Sequence, residues 1–169
     1  MTLFHNPAIV KLGRAAHDIE HYLKLPKWAH LKTTATAPIS APPTCDWTLK
    51  AGIFPMDLND SLGDCTIASC AHLTQVWTCN EIGGQAVILS DTDVLAAYKA
   101  CSGYNGTPAT DVGCMEINVL NYWQTTGIGG RKITNYVTLD ITKQQEIMET
   151  VALFGGAYIG VNLPVSAQT

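Results

Sequence analysis

Apolar positions recur with helical spacing in five places along the chain. Upstream, Ile9, Leu12, Ala16, Ile19 and Leu23 form one stripe, which predicts an amphipathic helix over residues 8–24. The longest such stretch covers residues 64–80, where Ile67, Ala68, Ala71, Val76 and Trp77 come with few charges, so a largely buried helix is expected. Asp64 stands at its start, placed to satisfy the unpaired first-turn amides. Ser90-Asp91-Thr92-Asp93 reads as a cap sequence opening a helix toward Cys101. Residues 115–126 read as a helix ended by Gly127, and residues 143–153 as another ended by Gly155-Gly156. Two β-branched runs, residues 133–139 and 157–163, read as strands. Residues 33–43 are rich in Thr, Ala and Pro. Pro38, Pro42 and Pro43 exclude regular helix there and predict an extended linker. The organisation expected is an N-terminal, prosegment-like arm over residues 1–44 and one domain over residues 45–169.

Composition narrows the class. With 169 residues, 47% hydrophobic and only 14% charged, the chain is long and apolar enough to bury one sizeable core. A formal charge of −4 without clusters of Lys and Arg argues against a nucleic-acid partner. No apolar run approaches the roughly 20 residues of a membrane span. Met1-Thr2-Leu3-Phe4-His5-Asn6-Pro7 lacks the basic-then-apolar order of a secretory signal, so a cytoplasmic location with reduced thiols is expected. No cofactor motif is present.

Six cysteines lie at positions 45, 65, 70, 79, 101 and 114, and none of their spacings matches paired zinc ligands. Cys70 and Cys79 read as small core residues, and Cys101 and Cys114 flank a loop across which they would pair in an exported protein. Cys65 differs from the others. It follows Gly63-Asp64 at the predicted start of the longest helix, where unpaired amides and partial positive charge favour a thiolate. Asn59 stands six residues upstream, an amide able to join the Cys65 N–H in holding the oxyanion of a tetrahedral intermediate.

These residues belong to a longer series. Asp46-Trp47, Pro55, Asn59, Gly63 and Cys65, followed by Tyr98-Lys99-Ala100-Cys101, Gly113-Cys114, Gly127-Ile128 and the apolar run Gly156-Ala157-Tyr158-Ile159-Gly160-Val161, resemble the landmarks of papain-like cysteine peptidases in order. The wording from Asn59 to Ala68, with Asp93-Val94-Leu95-Ala96-Ala97-Tyr98, looks like a little-characterised bacterial and phage branch of that superfamily. The resemblance covers roughly residues 46–163. It implies a papain-like α+β fold, with a helical lobe around the Cys65 helix and an incomplete β-sheet lobe. It also implies acyl transfer at peptide or isopeptide bonds of a peptide or protein substrate, with Cys65 as nucleophile and Asn59 in the oxyanion site.

Departures from the pattern bear on activity. Relatives continue past the strand equivalent to residues 157–161 into a Gly-His strand and an Asn or Asp, whereas here no histidine follows His72. The chain is therefore expected to be incomplete or inactive alone, the alternative being a non-catalytic interaction or scaffold protein. The open edge of the expected sheet would invite a companion chain or a second copy. Leu62 and Met115-Glu116 replace a usual cysteine and a usual Gly-Gly. His72 lies about 10 Å along the helix from Cys65 at 1.5 Å per residue, too far for a general base. His5, His17, His21 and His30 are all upstream of the domain. His17-Asp18-Ile19-Glu20-His21 matches a zinc-peptidase pattern, but no third ligand is identifiable, and a polar helix face accounts for it.

Overall fold

The structure, a computed structural model, describes residue 15 and residues 19–35 and 39–161. Among these are six helices: α1 (Ile19–Lys24), α2 (Trp28–Lys32), α3 (Cys65–Asn80), α4 (Asp91–Ser102), α5 (Glu116–Thr125) and α6 (Gln144–Phe154). Single 3-10 turns occur at Thr48–Lys50 and Pro108–Thr110. The start of the predicted helix over residues 8–24, and residues 162–169, lie outside the described residues.

α3 is the centre. Ten of its sixteen residues are buried, among them Ile67, Cys70, Ala71, Val76 and Cys79, and burial on more than one face is what its nearly charge-free sequence requires. Ile67, Cys70 and Ala71 pack with Val94, Ala97 and Tyr98 of α4, and with Val119 and Trp123 of α5. The ends of α4 follow the sequence. Ser90 accepts a hydrogen bond from the Asp93 amide at 3.2 Å, and Gly103 at φ 76° closes the helix in the left-handed region. Gly155, at φ 77°, ends α6 likewise.

The expected α+β architecture is overturned. Among the described residues helix accounts for 46% and strand for 4%, with no sheet. Within residues 133–139 only Thr138 pairs, through one bridge to Lys27. Its amide donates to the Pro26 carbonyl at 2.8 Å, and the Trp28 amide donates back to Thr138 at 3.0 Å. The bridge cannot extend into a ladder, because Pro26 has no amide proton to donate and Trp28 already begins α2. Residues 157–161 form no strand either. Tyr158 instead turns toward α3 and donates its hydroxyl to the Thr66 carbonyl at 3.0 Å, while Ile159 and Val161 stay exposed. The strand edge expected to recruit a companion chain or second copy is thus absent from residues 157–161.

The described part of the arm packs against the rest of the chain. Trp28 is buried, meets Phe154 edge-on at 5.6 Å, and donates its indole N–H to Glu149 at 3.2 Å. Lys32 pairs with the same carboxylate at 2.6 Å and holds its pKa below the ordinary carboxylate range. Tyr22 of α1 donates to Glu116 of α5 at 2.7 Å.

Candidate functional site at the start of the central helix

Cys65 is the first residue of α3, half-buried and outside any disulfide. The chain reaches it through a strained turn. Asp57 and Leu58 have φ of 51° and 68°, and the Asn59 amide donates to the Met56 carbonyl at 2.9 Å, the signature of a mirror-image β-turn that usually takes Asn and Gly. The amides of Ser61 and Leu62 then both reach the Leu58 carbonyl at 2.9 Å, winding the chain into Gly63. A left-handed Leu is costly, about 1–3 kcal/mol, and persists only where the surroundings over-determine it.

Asn59, the second residue expected at the site, sits exposed on this turn, and among the described residues its side chain makes no hydrogen bond. Asn59 thus lies on the loop that leads into α3, and Cys65 is the first residue of that helix. His72 is occupied elsewhere. Its Nε2 lies 2.9 Å from the Pro55 carbonyl and 3.2 Å from Asp57 Oδ2, so the ring holds the strained turn against α3. His30 is exposed on α2, and His5 and His17 lie outside the described residues. Of the zinc-like pattern, Glu20 and His21 fall on α1. Among the described residues no three His, Cys, Asp or Glu side chains converge to hold a metal ion.

Burial pushes the Cys114 thiol up to about 11 and the Cys101 thiol up to about 12, and it holds Cys70 well above the usual thiol range. Cys79 is buried too, and Cys45 alone among the six is exposed. Cys101 and Cys114 form no disulfide.

A polar network under the site has no counterpart in the sequence reading. Asp111 Oδ1 accepts from the Gly63 amide at 2.9 Å and from the Tyr98 hydroxyl at 2.5 Å, and that hydroxyl accepts from the Gly113 amide at 3.2 Å. One buried carboxylate therefore ties α4 and the loop before α5 to the residue two before Cys65. Asp64 departs from its expected role. It is the residue capping α3, yet its side chain makes no capping bond; it is fully buried, and neither carboxyl oxygen has a hydrogen-bond partner. Burial pushes this carboxyl up to about 7 against the opposing effect of its own backbone amide, with the charges of Asp111, Asp57 and Asp60 acting in the same direction as burial. Its identity as an acid was visible in the sequence, but nothing there distinguishes a carboxylate aimed at first-turn amides from one turned into the core.

Two grooves share Trp77, one with Trp47, Asn80 and Phe154, the other with Thr78, Trp123 and Arg131. Trp77 is about 18 Å along the helix from Cys65, and neither groove includes Cys65 or Asn59. No helix among the described residues is long and apolar enough to cross a membrane. Comparison with known proteins gives no match, whether with a family model, a curated protein or a solved structure.

Proposed function

We propose that this chain is a relative of papain-like cysteine peptidases and carries the thiol part of an acyl-transfer site. The observation that carries the reading is Cys65 at the first position of the central helix, a short loop beyond the strained turn at Asp57 and Leu58. There the helix's partial positive charge favours a thiolate, and its first amides face a developing oxyanion. Cys65 Sγ attacks a peptide or isopeptide carbonyl, the S–C bond forms as the C–N bond breaks, and the amine departs with the proton that the thiol gives up. Asn59 supports the oxyanion by resemblance alone. His72 does not carry the proton, since it is engaged by Pro55 and Asp57.

That division of parts has a measurable consequence. A general base contributes typically 10²- to 10⁴-fold, so an activated ester is expected to acylate Cys65 and then stall, giving a burst without sustained turnover. Peptide mass spectrometry should find the acyl group on Cys65 and, in Cys65→Ser, no burst. Sustained hydrolysis abolished by Cys65→Ser would show that a base is present after all. The alternative is a non-catalytic interaction or scaffold protein, favoured by the use of the α3 histidine to hold a loop. It predicts equal acylation of wild type and Cys65→Ser.

A further inference from the structure

Asp64 and Cys65 are successive residues at one helix end, and both are acids. Asp64 has no solvent exposure and no hydrogen-bond partner. A carboxylate so placed is expensive enough that the group keeps its proton instead. Its own backbone amide is the one group that favours the charged form, and the other groups facing the pair offer no relief: Asp57 and Asp60 from the loop before α3, Asp111 from the loop before α5, the Cys114 thiol, which feels both Asp64 and Cys65, and the Tyr158 hydroxyl, which feels Cys65. Among the described residues no basic side chain acts on Asp64, and no metal-holding group forms around it. A proton is the remaining way to neutralise it.

We propose that the N-terminus of α3 holds one exchangeable negative charge, shared between the Asp64 carboxyl and the Cys65 thiol, so that protonation of Asp64 regulates the reactivity of Cys65. The field of a helix N-terminus stabilises one anion well and two poorly, because the second is repelled by the first. With Asp64 neutral, that field is available to the Cys65 thiolate. Once Asp64 gives its proton to solvent, its charge opposes ionisation of the neighbouring thiol, and the two groups titrate as a pair. Only O–H and S–H bonds change. The inference rests on Cys65 being the reactive thiol, and it adds that the site's pH profile is set from the residue before it.

The test has two arms on the full chain. The Asp64 carboxyl is followed by 13C NMR between pH 4 and 9, and Cys65 alkylation by iodoacetamide is timed by peptide mass spectrometry across the same range in wild type, Asp64→Asn and Asp64→Ser. Asn and Ser both cap helices, so both variants are expected to fold. The expected results are an Asp64 midpoint near neutrality and a Cys65 alkylation midpoint about one pH unit lower in both variants. An Asp64 midpoint in the ordinary carboxylate range, or alkylation profiles that superimpose, overturns the inference. Failure of the functional reading looks different: Cys65 would react no faster than Cys70 or Cys79 at any pH, whatever Asp64 does.

Discussion

Asp64→Asn is expected to stabilise the protein at neutral pH by up to about 4 kcal/mol and to leave it nearly unchanged at pH 4. Folding moves the Asp64 carboxyl from 3.8 to about 7, and a tenfold change in proton affinity corresponds to about 1.4 kcal/mol. The sign follows from which state binds the proton more tightly. Between the two values the folded protein holds the proton and the unfolded chain does not, so the wild type loses stability as pH rises from about 4 to about 7. Asn has no proton to lose, so the variant escapes that decline. Titrating groups that do not feel the Asp64 charge are shared by both proteins and cancel in the difference. Urea unfolding of the pair at several pH values reads the effect, and parallel curves would mean that Asp64 is solvated or paired in the folded protein.

Trp28→Ala is expected to cost about 3–5 kcal/mol, the range for emptying a buried aromatic site. The ring is buried against Phe154, and its N–H reaches Glu149, which is itself 1% exposed. Removing the indole therefore opens a cavity and takes one donor from a buried carboxylate. Trp28→Phe separates the two, keeping the ring and losing the donor, at about 1 kcal/mol. Denaturant unfolding would show whether residues near 28 are part of the cooperative unit. A cost below about 1 kcal/mol for Trp28→Ala would mean that the arm detaches without disturbing the helices.

Helices α3 to α6 were legible because their signals are local, whereas α2 was not among the elements expected. A nearly charge-free apolar run, the Ser90 cap and the glycines after α5 and α6 each act within a turn or two of themselves, and the observed bounds follow them closely. Strands are another matter. Residues 133–139 have the composition of a strand, but a strand exists only through its partner. The partner offered here is the short stretch from Pro26 to Trp28, which exchanges two backbone hydrogen bonds with Thr138 and no more. By pattern Tyr158 is one residue of an apolar strand, whereas its hydroxyl finds the Thr66 carbonyl, 92 positions away.

The candidate site divides the same way. Cys65 at a helix start was readable from Gly63-Asp64-Cys65, and the structure puts it there. Asp111 was invisible, because its partners Gly63 and Tyr98 come from distant parts of the chain, 48 and 13 residues away. The left-handed Leu58 was equally unreadable, since the turn it occupies usually selects Asn or Gly.

The central claim is that Cys65 is a thiol activated by its place at the helix start, and the direct measurement is competitive labelling of the six cysteines by a carbonyl-directed, activity-based electrophile at neutral pH, read by peptide mass spectrometry. Cys45 serves as the exposed internal reference, and Cys70, Cys79, Cys101 and Cys114 as the others. The predicted result is that half-buried Cys65 is labelled at least tenfold faster than exposed Cys45, because thiolate content outweighs exposure. Labelling that follows exposure alone, with Cys45 first and Cys65 no faster than Cys70 or Cys79, would contradict it.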